Sequence, residues 1–249
     1  MNGTNDFYDP LASLYHLVYD DWEASVARQG EALDGVIRDA LGDGARTVLD
    51  VACGIGTQAL GLAARGHPVT ASDLSPGAVA RLRDEAARRG LAIDATAADM
   101  RAVADVHARR FDVVLCADNS LPHLLTDDDI LAALRAFRAC TAPGGVCIVS
   151  MRDYGEEDLR APRIVPHGVR EWDGARWIVF QVWEPRPPLY DTTLYLLEER
   201  DGAPRTHRMR ATYHAIPVAR VAALMREAGF TEVRRIDGVF FQPLLVGRG

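Results

Sequence analysis

Apolar residues along this chain recur at two spacings. Near the start, Leu11, Leu14, Tyr15 and Val18 fall three and four apart. Trp22, Val26, Ala27, Leu33, Val36, Ile37 and Leu41 continue that spacing, which is the signature of amphipathic helix. Gly42-Asp-Gly44 ends the pattern. Short apolar runs then alternate with helical segments. Strand Thr47–Val51 precedes helix Gln58–Arg65, and strand Pro68–Asp73 precedes helix Gly77–Arg89. Ser75-Pro76 reads as an N-cap with proline at the first helical position, and Gly90 as the stop. Strands Ala92–Ala97 and Phe111–Ala117 follow. Asp127-Asp-Asp129 is read as the cap of helix Ile130–Cys140, and Pro143-Gly-Gly145 as the turn into strand Val146–Met151. Alternation of this length predicts an α/β fold with a doubly wound, parallel sheet.

Residues 155–215 break the rhythm. Positions 176–183 and 192–198 alternate apolar and polar, Asp201-Gly202 is a hairpin turn signal, and His207–Tyr213 reads as a returning strand. The expectation is an antiparallel β insert over the crevice at the strand ends. Helix Val218–Ala228 and strands Thr231–Ile236 and Phe240–Val246 then complete a seven-stranded sheet. The implied division is an N-terminal helical lid (1–44), an α/β core (45–154), the insert (155–212) and a return to the core (213–249).

Composition narrows the function. The 249 residues are 48% hydrophobic and 25% charged, with a formal net charge of −7. A nucleic-acid partner would call for a basic face. No apolar run approaches the roughly 18 residues of a membrane span, and no secretory signal opens the chain. Cys53, Cys116, Cys140 and Cys147 lack C-x-x-C spacing and read as buried thiols of a cytoplasmic protein, not disulfides or metal ligands.

Candidate chemistry gathers at the strand ends. In Val48-Leu-Asp-Val-Ala-Cys-Gly-Ile-Gly-Thr57, Gly54 and Gly56 turn a strand into a helix and let a ligand approach the backbone. Ala59 stands where a dinucleotide fingerprint has its third glycine, which predicts a nucleoside site without a pyrophosphate. Asp73 ends the second strand, 17 residues after Gly56, and suits ribose hydroxyls. Asp99 and Met100 suit an adenine, the acid accepting from its amine and the thioether packing on its ring. The polar run Asp118-Asn-Ser-Leu-Pro-His123 leaves the fourth strand beside Arg152-Asp-Tyr154. Arg152 can pair with a ligand carboxylate or with Asp153, Glu156 or Asp158; His123 can be a crevice histidine or a base.

The phrase Asp50-Val-Ala-Cys-Gly-Ile-Gly-Thr57 resembles the first motif of the class I S-adenosylmethionine (SAM) dependent methyltransferases, which have Rossmann-like folds. Together with Asn119-Ser-Leu-Pro-His-Leu124, Arg152-Asp-Tyr154 and Tyr213-His214, it is similar to the glycine N-methyltransferase-like branch. That resemblance implies SAM as cofactor and S-adenosylhomocysteine as product. It implies cofactor contacts at Tyr19, Arg28, Asp50, Ala52, Gly54, Gly56, Asp73, Leu74, Asp99, Met100, Ala117 and His123. It further implies catalytic-site roles for Asn119, His123, Arg152 and Tyr213, with Arg152 on the acceptor carboxylate, and no metal. The implied reaction is methylation of the amine of a small, carboxylate-bearing acceptor such as glycine or sarcosine. The alternatives are a small-molecule O- or C-methyltransferase, in which His123 or Asp118 would deprotonate the acceptor, and a SAM-binding regulator. A homo-oligomer is compatible with these features; a nucleic-acid or membrane partner is not expected.

Overall fold

The structure is a computed structural model that describes residues 12–156 and 159–249. Leu11 and Asp158, both named above, lie outside the described residues. After a 3₁₀ turn at Tyr15–Val18 the elements are α1 (Trp22–Leu41), β1 (Val48–Asp50), α2 (Thr57–Ala63), β2 (Val69–Asp73), α3 (Pro76–Arg88) and β3 (Ile93–Ala97). Next come α4 (Val103–His107), β4 (Phe111–Cys116), α5 (Asp127–Cys140) and β5 (Thr141–Ser150). The antiparallel unit holds β6 (Arg163–Trp172), β7 (Ala175–Arg186), β8 (Leu189–Arg200) and β9 (Ala203–His214). The chain closes with α6 (Val218–Glu227), β10 (Thr231–Ile236) and β11 (Leu244–Arg248).

The larger sheet has the order β10-β11-β5-β4-β1-β2-β3, with β11 antiparallel to both neighbours and the inner strands parallel. Side chains alternate between its faces. Val48, Val113, Leu115 and Ile148 meet Leu33, Ile37, Leu60 and Leu82 of the helices on one face. Leu49, Val114, Cys147 and Val149 meet Phe137, Leu134 and Met225 on the other. That second layer runs on into the four-stranded sheet β6-β7-β8-β9 through Trp177, Trp183, Tyr190 and Leu194, so the two sheets share one core. All four cysteines are buried and unbridged. No described helix is long and apolar enough to cross a membrane.

Local chemistry explains most boundaries. Ser75 caps α3 by accepting from the N–H of Ala78 at 3.1 Å, with Pro76 at its first position. Asp21 caps α1 through the N–H of Ala24 at 2.9 Å. The cap of α5 is Thr126, whose hydroxyl accepts from the N–H of Asp129; the three aspartates sit in the first helical turn, complementing the helix dipole. The hairpin at Asp201-Gly202 has φ of 51° and 75°, and Asp173-Gly174 repeats it at 50° and 70°, as type I′ turns require.

Three expectations are corrected. β6 was not foreseen, because Pro166, His167 and Gly168 interrupt its alternation; as an edge strand with a register shift at those residues it tolerates the proline. β5 begins at Thr141, so Pro143-Gly-Gly145 is an irregularity within the strand and not a turn before it. The last strand starts at Leu244, leaving Val239–Gln242 as loop. One helix contact depends on paired glycines. A Cβ on Gly30 of α1 would lie 2.6 Å from the backbone of Gly61 of α2, and one on Gly61 would lie 2.4 Å from the carbonyl of Val26. Only glycine lets these helices approach so closely.

Candidate active site

Two cavities open at the carboxyl ends of the parallel strands, where crevices of such sheets form. The first, of about 310 Å³, is floored by the β1–α2 turn. Gly54 there has φ of 52° with nothing within 4 Å of where its Cβ would project, which leaves room for a ligand against the backbone. Gly56, the cap of α2 at φ of 100°, does not line the cavity; a Cβ on it would strike Leu82 at 2.3 Å, so it serves turn and packing. Asp73, at the end of β2, is fixed by the N–H groups of Gly54 (2.8 Å) and Ser75 (2.9 Å). Ala52, Leu74, Met100, Ala117, Tyr19 and His123 complete the wall with Asp99.

Three expected cofactor contacts stand differently. Asp50 is fully buried beneath the turn and accepts from the N–H of Ala52; burial pushes its carboxyl up to about 7. Arg28 lies on α1 beside the second cavity, donating to Ser25 Oγ at 3.0 Å. Asp99 does line the first cavity, but its carboxylate is engaged by Arg101, which holds it below the usual carboxylate range and also reaches Asp129. Its capacity to accept from an adenine amine is therefore shared.

The second cavity, of about 670 Å³, meets the first at Tyr15, Tyr19 and Asp118, which line both. Arg152 lies in its wall. The guanidinium sits 4.8 Å over the Trp183 ring and its Nη1 donates to the Tyr190 hydroxyl at 3.4 Å. No described carboxylate approaches Arg152 within 4 Å; Asp153 pairs instead with Arg235 at 2.6 Å. Asn119, expected to touch the acceptor, is 1% exposed and lines neither cavity. Its Oδ1 accepts from the N–H of Arg152 (3.0 Å) and the hydroxyl of Tyr154 (2.9 Å), and so sets the course of the chain through Arg152. Tyr213 belongs to β9 of the antiparallel sheet. Its ring lies 4.1 Å from that of His123 and 5.2 Å from that of Tyr190. Burial, and then the charge of Arg152, push His123 down to about 3, leaving it neutral.

The N-terminal segment is tied into this architecture. Trp22 Nε1 donates to Thr57 Oγ1 at 2.9 Å, Thr57 donates to the Tyr19 hydroxyl at 3.3 Å, and Tyr19 donates to Asp118 Oδ2 at 3.2 Å. Arg170 of β6 donates to the Tyr19 carbonyl at 2.8 Å and pairs with Asp20. Several wall residues were missed in the sequence: Tyr15, His167, Gln181, and the loop with Phe240, Phe241 and Gln242. Gln181 carried a signal, being the polar member of the inward row Ala175, Trp177, Val179, Gln181, Trp183. The loop carried none, because its apolar residues read as strand.

Residues 48–145 match the methyltransferase domain family. A glycine/sarcosine N-methyltransferase from Parasynechococcus marenigrum (strain WH8102) is 33% identical over 135 residues, 54% of this chain and 46% of the relative. The chain thus spans about half the length of such curated relatives. A glycine N-methyltransferase from Rattus norvegicus is 27% identical over 236 residues, covering 87% of this chain and 79% of the relative. The SAM-bound amino pentose methyltransferase of calicheamicin biosynthesis from Micromonospora echinaspora superposes with a TM-score of 0.80 at 21% identity, covering 99% of both chains. The fold is the Rossmann-like fold of methyltransferases, and residues 48–145 match a methyltransferase domain. Within the lengths given, the chain is similar to glycine and glycine/sarcosine N-methyltransferases.

Proposed function

We propose that this protein transfers a methyl group from SAM to the amine of a small acceptor that carries an anionic group. The first cavity suits the cofactor. Asp73 offers a carboxylate for ribose hydroxyls, Gly54 leaves open space at the backbone, and Leu74 and Met100 give an apolar wall for the base. When bound there, SAM supplies an electrophilic methyl on a sulfonium sulfur, and the sulfur keeps the bonding pair as the methyl leaves.

The observation that carries the acceptor reading is Arg152: a permanently charged fork in the wall of the second cavity, with no described carboxylate within 4 Å. A half-buried cation with no described carboxylate within 4 Å is incompletely compensated, and an acceptor carboxylate supplies an anion in bidentate geometry. Anchoring the acid end there leaves the amine free to reach the junction of the cavities. The chemistry then rests on in-line placement and exclusion of water, from which orientation alone can supply several kcal/mol of the roughly 7–11 available. A second reading is favoured by one feature. The acceptor cavity is about twice the volume of the first and has an aromatic lip at Phe240 and Phe241. That is generous for glycine and suits an amino sugar. Incubating the protein with SAM and either glycine, sarcosine or a nucleotide-linked amino sugar, followed by mass spectrometry, separates the two. Methylation of oxygen or carbon acceptors alone would overturn both.

A further inference from the structure

Asp118 occupies the one place both ligands must share. Of the three residues common to the two cavities, Tyr15, Tyr19 and Asp118, it alone carries a carboxyl group. Its backbone is unusual. Asp118 and Asn119 sit consecutively in the left-handed region, at φ of 54° and 61°, directly after β4. Non-glycine residues rarely do this, and such conformations concentrate at functional sites. Ser150 holds the turn in place: its hydroxyl accepts from the N–H of Asp118 at 2.7 Å, and its carbonyl from the N–H of Asn119 at 3.1 Å. The carboxylate itself meets two neutral donors, Tyr19 at 3.2 Å and the Gln242 amide at 3.4 Å. It therefore keeps acceptor capacity toward the junction.

The proposed reaction needs such a group. An alkyl amine arrives at neutral pH as an ammonium ion, with no lone pair to accept a methyl. Resting on the N-methyltransferase reading above, we propose that Asp118 binds the acceptor's ammonium group and takes one of its protons. The N–H bond breaks with its electrons left on nitrogen, the proton passes to a carboxylate oxygen of Asp118, and the freed pair is available for the new nitrogen–carbon bond. Other nearby groups suit this poorly. His123 is a weak base where it stands, and burial keeps the Tyr19 hydroxyl protonated. Burial also raises the Asp118 carboxyl above its ordinary value, against the opposing charge of Arg152, which favours a proton acceptor. With Arg152 in the same cavity, Asp118 makes a charge pattern complementary to a zwitterion: cation for the acid end, anion for the amine.

The test uses Asp118→Asn, because asparagine tolerates the left-handed region and keeps the side-chain shape. Asp118→Glu restores the charge. Glycine, sarcosine and dTDP-3-amino-3,6-dideoxyglucose are the acceptor probes. With the probe that wild type methylates, the asparagine variant should raise acceptor KM at least tenfold. Calorimetric affinity for that probe should fall likewise, while S-adenosylhomocysteine affinity stays within twofold. The acid limb of the kcat/KM profile should flatten. The groups facing Asp118 are Tyr15, Tyr19, Arg152, His167 and Gln242, and none of them changes in the variant. The glutamate variant should recover part of the acceptor affinity, and should decide the matter if the asparagine variant does not fold. Unchanged acceptor binding and pH profile in Asp118→Asn, or no recovery by glutamate, would overturn the proposal. Failure of wild type to N-methylate any probe would instead overturn the reading beneath it, and this inference with it.

Discussion

The hydroxyl of Tyr19 donates to Asp118 Oδ2 across 3.2 Å, joining the chain's N-terminal segment to the end of a central strand 99 positions later. This contact lies where the two cavities meet. Removing the donor with Tyr19→Phe should cost about 1–3 kcal/mol, the range for a hydrogen bond to a charged group. Kinetics should show the loss chiefly as higher KM for the acceptor. An unaltered KM for both substrates would detach Tyr19 from the site.

Asp73→Ala should weaken S-adenosylhomocysteine binding by about 1–3 kcal/mol, by removing a carboxylate placed for hydroxyl groups. Stability should also fall slightly, since the N–H groups of Gly54 and Ser75 lose their acceptor. Calorimetry on the folded variant separates the two effects. Equal affinity in variant and wild type would remove Asp73 from the ribose role.

Arg152→Leu should collapse turnover while cofactor affinity changes little. Arg152→Lys should recover only part of it, because an ammonium keeps the charge and loses the fork. The check is steady-state kinetics with the true acceptor beside cofactor titrations. Full activity in the leucine variant would defeat the carboxylate anchor.

The glycine pair between α1 and α2 makes a prediction about stability. Gly61→Ala sets a Cβ 2.4 Å from the carbonyl of Val26, so the helices must part. Overpacking of this kind costs about 1–3 kcal/mol, or a few degrees to ~10 °C in Tm for a chain of this size. A melting curve unchanged from wild type would show that α1 shifts freely.

His123 should make stability sensitive to acid. Its folded value lies near 3, well below the usual 6.5, because burial and Arg152 disfavour its charged form. The unfolded chain therefore takes up a proton below about pH 6.5 that the folded chain refuses, and stability falls as pH drops through that window. Asp50 has the opposite sign: raised to about 7, it gains a proton in the folded chain first, and stability rises as pH drops from 7 toward 4. The two oppose each other in wild type. Denaturation of His123→Gln against wild type at pH 7 and pH 5 isolates the histidine, with wild type losing about 1–2 kcal/mol more on acidification. Parallel curves would show that the imidazole charges freely in the folded state.

Much of this architecture was legible because it rests on local rules. The strand–turn–helix of Val48–Thr57, the cap at Ser75 and the hairpin at Asp201-Gly202 each follow from residue types at fixed spacing. Asp73 and Arg152 could be placed because strand ends of a parallel sheet converge on one crevice. What could not be read depended on contacts distant in sequence. The oxygen of Asn119, a residue expected at the acceptor, accepts from Arg152 and Tyr154, 33 and 35 positions away. Arg101 shares the Asp99 carboxylate expected for the adenine, and Phe240 and Phe241 are apolar for a cavity lip and not for a strand.

Arg170 has a consequence for how this protein could be re-engineered. It belongs to the first strand of the insert, yet two of its partners, the Tyr19 carbonyl and Asp20, belong to the N-terminal segment. Transplanting the insert alone from a relative would separate a guanidinium from its acceptors and leave the Tyr19 backbone without its tether. A chimera meant to change the accepted amine must carry both stretches, 12–21 and 163–214, as one unit of inheritance.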